Sequence, residues 1–349
     1  MKKSDKPTDF GYHLTNFLSV YLPGQRGYSP NTISSYGDAF TIFLGYCENQ
    51  RKLNPDKMTL EQITKSLVEQ FLDWLTNEKG NSDGTRNQRL SALHSFFRYV
   101  RTESPEQILK CQQILSIPIK KKVQEPVNYL AFEGIKAILE QPNLDNAKGR
   151  RNLCMLSLLY DTGARVSEIC FAEVGHVRLE KPGTIKLFGK GGKIRIVPLM
   201  EKTSELLRGY MTEQRLMGYD KFSHPLFWNN RGEKLTSAGV RYILDKYVEA
   251  ARLTTPEYIP QSVSPHSLRH SKAVHLLQSG INIVYIRDIL GHADLKTTEI
   301  YAKIDPKSKR DSLESVYQNP NPELPKSWHQ DKGLMKWLAD LRTQKHYEK

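Results

Sequence analysis

The chain is poor in the features that mark several common protein classes. It has 4 cysteines in 349 residues, at positions 47, 111, 154 and 170, with no CxxC pair and no metal-ligand spacing among them. A disulfide scaffold and a cysteine-built zinc site are excluded, and the thiols are expected to be reduced and buried. No apolar run approaches the roughly 20 residues needed to cross a bilayer, and no apolar stretch of signal-peptide type follows the charged start Met1-Lys2-Lys3-Ser4-Asp5-Lys6-Pro7. No membrane association is expected, and the cytoplasm is the expected compartment. Acidic residues are outnumbered, 38 Asp+Glu against 51 Lys+Arg, for a net charge of +13. That balance favours a polyanionic partner, because neutralising phosphates releases counterions.

Positive charge is present throughout. Up to Val127 there are 17 Lys/Arg and 13 Asp/Glu, a net of +4, which leaves +9 for the rest. Both halves are therefore suited to contact nucleic acid. Hydrophobic residues at 38% and charged residues at 26% describe a folded chain, and its length allows two domains, each with a core.

Residues 1–115 read as a compact group of helices. Ser29-Pro30-Asn31 starts one, and Ile33, Tyr36, Phe40, Phe43, Leu44 and Cys47 follow at helical spacing. Thr59-Leu60-Glu61-Gln62 fits a capping box leading into Leu67, Phe71, Trp74 and Leu75. Ser82-Asp83-Gly84-Thr85 precedes a third helix with Leu90, Leu93, Phe97 and Val100 on its apolar side. Arg86, Arg89, Arg98 and Arg101 lie between these positions, a basic face able to follow a phosphate backbone. Residues 116–127 carry Lys120, Lys121 and Lys122 between Pro118 and Pro126 and read as an extended basic linker.

From residue 128 to 318 a second, mixed domain is expected. Helices span Leu130 to about Gln141 and Lys148 to Gly163, and another begins at Val166, so Arg165 in Thr162-Gly163-Ala164-Arg165-Val166-Ser167-Glu168 sits at a helix junction. Residues 183–188 and 194–199 read as two strands joined through Gly189-Lys190-Gly191-Gly192-Lys193, a hairpin with a lysine at its tip. A phosphate-binding P-loop is excluded, because the GxxxxGK[ST] spacing is missing and Ile194 follows Lys193. From Ser264-Pro265 a helix carries His266 and Arg269 one turn apart, with Val274, Leu276 and Leu277 on its buried side. Asn282 caps a short helix that Gly291 ends, which leaves His292 just beyond a helix C-terminus and Tyr301 in the next helical segment. His266 and His270 stand at i,i+4 but have no acidic or cysteine partner at ligand spacing, so no metal site is expected.

Two arginines for phosphate oxygens, two histidines, a lysine and a tyrosine able to attack phosphorus are what metal-free cleavage of DNA through a phosphotyrosine requires. Tyrosine is a poor nucleophile at its ordinary pKa of about 10 and needs a base or a strongly electropositive pocket to lose its proton.

These residues, in this order, resemble the tyrosine recombinases, also called the phage-integrase family. The resemblance covers most of the chain. It implies a mainly α fold with a small antiparallel β-sheet, in which a helical, SAM-like core-binding domain precedes a mixed α/β catalytic domain. Arg165 and Arg269 would bind the scissile phosphate, Lys190 would assist the leaving group, and His266 and His292 would be the motif histidines. Tyr301 would be the nucleophile. Lys193 rivals Lys190 for the lysine role, and Glu168 would orient the arginine turn. The implied reaction is site-specific recombination: cleavage to a 3′-phosphotyrosine and a free 5′-hydroxyl, strand exchange and religation, without metal, cofactor or ATP. Its partners would be double-stranded recombination sites, three further copies of the chain in a tetramer on two duplexes, and accessory recombination proteins. Integration, excision or transposition of a mobile element is the leading expectation. Resolution of chromosome dimers, a type IB topoisomerase-like activity and a non-catalytic DNA-binding relative are the alternatives.

Residues 319–349 read as a proline-rich tether, Asn319 to Pro325, and an amphipathic helix with Leu334, Trp337, Leu338 and Leu341. Such a segment suits docking either on its own catalytic domain or on a neighbouring protomer.

Overall fold

The computed structural model describes residues 7–121, 127–292, 294–302, 333–336 and 338–339, apart from the side chains of Lys190 and Lys296. Lys122, Trp337, Leu341 and the proline-rich stretch 319–325 lie outside the described residues. The chain divides into two compact units, residues 1–125 and 126–349. Among the described residues no helix is long and apolar enough to cross a membrane.

The first unit is helical: α1 (Asp9–Asn16), α2 (Pro30–Arg51), α3 (Lys65–Asn77), α4 (Asp83–Glu103) and α5 (Ile108–Leu115). Ser29 caps α2 with Pro30 in its first turn, and the Ser82 hydroxyl accepts from the Thr85 N–H to cap α4. Thr59 and Gln62 do form the expected hydrogen bond, Thr59 N to Gln62 Oε1 at 3.0 Å, but it closes only the 3₁₀ turn Leu60–Gln62. The cap of α3 is Thr64, two residues further on. Phe17–Gln25, which contains Pro23, forms a π-helix that the periodicity does not announce. Its Phe17 packs against Tyr36, Phe40, Phe96 and Tyr99 in an aromatic core.

The expected open basic face on α4 is not there as a whole. Arg98 and Arg101 are exposed and Arg89 is half-buried, but Arg86 is only 6% exposed and donates from Nη1 to the Pro118 carbonyl and to Asn87 Oδ1. Arg86 thus serves packing, because it fastens the segment after α5 onto α4. Lys120 joins the same attachment: its N–H donates to Asn87 Oδ1, its carbonyl accepts from Asn87 Nδ2, and its Nζ lies 3.3 Å from Asp83. With Ile117 buried as well, residues 117–120 belong to the wall of the first unit and do not run free as a linker. Lys121 is exposed.

The second unit contains α6 (Phe132–Leu139), α7 (Ala147–Thr162), α8 (Val166–Cys170), α9 (Glu201–Glu213), α10 (Ser237–Thr254), α11 (Pro265–Gln278), α12 (Ile283–Leu290) and α13 (Lys296–Ala302). Between α8 and α9 lies an antiparallel sheet of β1 (Val177–Arg178), β2 (Thr184–Phe188) and β3 (Ile194–Pro198), in that order. β2 and β3 pair in the register Ile185 with Val197 and Phe188 with Ile194. They are joined by a tight turn in which Gly191 and Gly192 have φ near +75° and +73°, conformations that exclude most side chains. α7 is buried from Cys154 to Leu159, and it packs on α9 and α11. All four cysteines of the chain are buried and free.

Candidate active site

Four chain segments of the second unit converge on one place. The first is the α7–α8 corner. Gly163 ends α7 in the left-handed conformation at φ 57°, and Arg165 begins α8. The Arg165 N–H donates to Glu168 Oε2 at 2.8 Å and its Nη1 donates to Glu168 Oε1 at 2.9 Å. Glu168 therefore closes the start of α8 and aims the Arg165 guanidinium with the same carboxylate.

The second segment is β3. Arg195 donates from Nη1 and Nη2 to the two oxygens of Glu168, at 2.8 and 2.7 Å, and from Nε to the Ile289 carbonyl at 2.8 Å. The Glu168 side chain is 1% exposed and that of Arg195 10%. Burial alone would raise the Glu168 carboxyl, but the hydrogen bonds and charge of Arg195, with those of Arg165, outweigh it and hold it below the usual carboxylate range. The sequence does not single out Arg195, because it is flanked by Ile194 and Ile196. Alternation puts one of these two kinds inside, and hydrophobicity favours the isoleucines. Instead Ile194 and Ile196 are exposed and the arginine faces inward.

The third segment is α11. Ser264 and Ser267 cap it reciprocally, with Pro265 in its first turn. His266 is exposed, whereas Arg269, one turn on, is buried at 3% and donates to two carbonyls, Gly163 and Leu290, both at 2.6 Å. Burial, with the nearby Arg165 and Arg195, lowers Arg269 to about 10, so it remains cationic at neutral pH. Partial burial and the charges of Arg269 and Arg165 lower the His266 pKa.

The fourth segment runs from α12 to α13. Asn282 caps α12 through the Val284 N–H, and Gly291 ends it at φ 66°. His292 follows, its Nδ1 2.8 Å from the hydroxyl of the fully buried Thr298. Tyr301 on α13 is 2% exposed, packed with Ala273, Val274, Ile286 and Leu290. Its hydroxyl lies 2.8 Å from Nδ1 of His270, a residue whose spacing in the sequence suggests only a zinc partner for His266. Burial raises the Tyr301 pKa, and the fields of Arg269 and Arg165 oppose that rise. His270 and His292 are both lowered to about 4. Burial comes first in each, followed by His266 and Arg269 for His270 and by Arg269 and Arg165 for His292. Both imidazoles are therefore neutral at physiological pH.

A cleft of about 410 Å³ lies against the Arg165 and His292 side of this cluster, lined in part by Arg165, Lys193, Arg195, Gly291 and His292. Of the residues singled out from sequence, Arg165, Glu168, Arg269, His292 and Tyr301 are brought together, with His266 on the exposed turn of the same α11. Lys193 lines the cleft. Lys190 occupies the hairpin turn next to it, with its side chain outside the described set. Arg89, Arg98, Lys120 and Lys121 belong to the other unit.

Residues 128–308 match the Phage integrase family, and residues 14–104 match the Phage integrase N-terminal SAM-like domain. A putative integrase/recombinase, y4rC, of Sinorhizobium fredii is 34% identical over 94% of this chain and 97% of that protein. Tyrosine recombinase XerC of Thermodesulfovibrio yellowstonii is 33% identical over 90% of this chain and 98% of that protein. Among solved structures, the XerH site-specific recombinase bound to palindromic difH substrate shares the fold at a TM-score of 0.66 and 24% identity, over 83% of this chain and 81% of that one. The Tn1549 transposon integrase in complex with transposon right end DNA shares it at 0.65 and 17%, over 87% and 99%. The matches run through both units and include the cluster just described, and the chain belongs to the phage integrase family, the tyrosine recombinases.

Proposed function

We propose that this chain cuts and rejoins DNA at specific sites, with Tyr301 as the nucleophile. The observation that carries the reading is the convergence of Tyr301 with two cationic arginines and two neutral histidines. Arg165 and Arg269 are assigned to the non-bridging oxygens of the scissile phosphate, whose charge grows in the transition state. Both are held by hydrogen bonds before any substrate arrives, so little reorganisation is needed on attack. His292, fixed through Thr298, is assigned to donate a hydrogen bond to a phosphate oxygen, and His266 to proton transfer at the exposed side of the site. Lys190 is assigned to protonate the departing 5′-oxygen; Lys193, which lines the cleft, is the second candidate for that task. Glu168 orients Arg165. The product is a 3′-phosphotyrosine and a free 5′-hydroxyl, and attack by the hydroxyl of another strand exchanges partners without an external energy source.

The partner in this reading is duplex DNA, bound by both basic units. Exchange between two duplexes calls for four protomers, since each strand cut consumes one tyrosine. Arg89, Arg98, Lys120 and Lys121 are assigned to phosphate contacts of the first unit. The compartment is taken to be the cytoplasm, where chromosomal DNA is the substrate. Integration, excision or transposition of a mobile element is the primary biological role. Relatives named XerC, one of them matched over 90% of this chain, favour a second role, the resolution of chromosome dimers.

The test is incubation of the wild type and Tyr301→Phe with nicked duplexes carrying candidate end sequences and no added metal. An SDS-resistant adduct with wild type alone, and joined strands when a second duplex is supplied, is the expected result. Adduct formation by the phenylalanine variant would remove Tyr301 from its role.

A further inference from the structure

We propose that His270, which lies outside the six motif residues, takes the phenolic proton of Tyr301 during DNA cleavage. The inference rests on the recombinase reading above. Among the described residues the hydrogen-bond partner of the Tyr301 hydroxyl is His270 Nδ1, at 2.8 Å, which is the contact a proton acceptor must make. His266 sits one turn earlier on the same face of α11, with its ring 6.3 Å from that of His270, and lies on the exposed side of the site. The His292 ring is 6.4 Å from the Tyr301 ring, and its Nδ1 is occupied by Thr298. Of these three histidines, His270 is the one hydrogen-bonded to the nucleophile among the described residues.

The charge state fits the task. His270 is half-buried beside His266 and Arg269, which keeps its imidazole neutral at physiological pH, so with the ring proton on Nε2 the lone pair on Nδ1 is available. Before attack the proton stays on the phenol, whose burial holds its pKa up. As the Oη–phosphorus bond forms, the phenolic oxygen becomes strongly acidic and its proton passes to Nδ1. The phosphorus–O5′ bond breaks at the same time, and O5′ takes a proton from the lysine of the hairpin. One phosphodiester is replaced by one phosphotyrosine ester, with no change of oxidation state. On religation the imidazolium returns the proton to Oη as the phosphotyrosine bond breaks. The neighbouring Arg269 disfavours a lasting charge on the imidazole, which speeds that return.

The test compares wild type with His270→Asn on nicked duplexes in single turnover. Asparagine keeps a hydrogen-bonding atom near the position of Nδ1 without its basicity. Adduct formation is expected to slow by about 10²–10⁴ while DNA binding in a gel shift is retained. The same loss is expected on a substrate with sulfur in the bridging 5′ position, whose leaving group needs no proton. Cleavage of the oxygen substrate at the wild-type rate overturns the proposal. So does a loss that disappears on the sulfur substrate, since His270 would then serve the leaving group. Should the asparagine variant unfold, His270→Gly with added imidazole is the second measurement: recovery of adduct formation supports the proposal, and failure of a folded, DNA-binding His270→Gly to respond overturns it. Wild type forming no adduct on any substrate would overturn the recombinase reading itself, which separates the two failures.

Discussion

Replacement of Arg195 by methionine tests whether one buried carboxylate organises the site. Glu168 accepts four hydrogen bonds, two from Arg165 and two from Arg195, and its side chain is almost wholly enclosed. Methionine fills much of the space but leaves that carboxylate with a single guanidinium. Removing one partner of a buried ion pair costs about 3–5 kcal/mol. The lost bond to the Ile289 carbonyl adds about 1 kcal/mol, and the retained Arg165 offsets a similar amount. For a unit of this size the fall in Tm is roughly 6–20 °C, at about 2–4 °C per kcal/mol. Thermal unfolding followed by circular dichroism measures it, and the companion variant Glu168→Gln closes a double-mutant cycle. The loss from Arg195→Met should shrink in the glutamine background, because the stranded charge is gone. The carboxyl, held below its ordinary value of 4.5, contributes stability that is present above that value and lost as pH falls from there through the lower folded value. Arg195→Met should flatten this acid limb. Unfolding within 1 kcal/mol of wild type, with losses that simply add in the double variant, would refute the reasoning.

Other consequences are equally open to measurement. Gly291→Ala puts a side chain on a left-handed residue and a Cβ 3.0 Å from Arg195, so about 1–2 kcal/mol of strain and slower adduct formation are expected; an unchanged Tm and cleavage rate would count against the tight α12 end. Arg269→Lys cannot reach two carbonyls at once, and cleavage should fall on the order of 10²-fold with the DNA affinity of the whole chain less affected. His270 and His292, lowered from 6.5 to about 4, are neutral in the fold while their unfolded counterparts take up protons. Stability should therefore decline as pH falls from 6.5 towards 4, and a Tm that stays level across that window would show these rings to be solvated.

Much of the site is legible in the sequence because its residues sit at helix ends, where sequence is most explicit. Gly163, Asn282 and Gly291 each mark a boundary through a specific backbone requirement, and those boundaries place Arg165 at one helix junction and His292 just past another. The resemblance then supplies roles that spacing alone does not carry. What escapes are side chains whose direction depends on tertiary packing. Arg195 sits in a strand where alternation reads the wrong way round, because a buried glutamate 27 residues away draws it inward. Arg86 falls on an apparently basic helix face, yet the segment that covers it begins about 30 residues later. His270 follows Arg269 directly and carries no motif, and only the return of α13 onto α11 brings it to Tyr301.

Arg269 joins the final turns of α7 and α12. Each helix terminates in unpaired carbonyls that carry the negative end of its dipole, and the guanidinium is bound to one from each. The protein thus solvates a buried cation with its own backbone, much as a lattice holds an ion. Fraying of either helix end would release the arginine and loosen the cluster around it in one event. Amide exchange near Gly163 and Gly291 is for that reason a direct readout of how often the active site is whole, measurable on the free protein with no DNA in the tube.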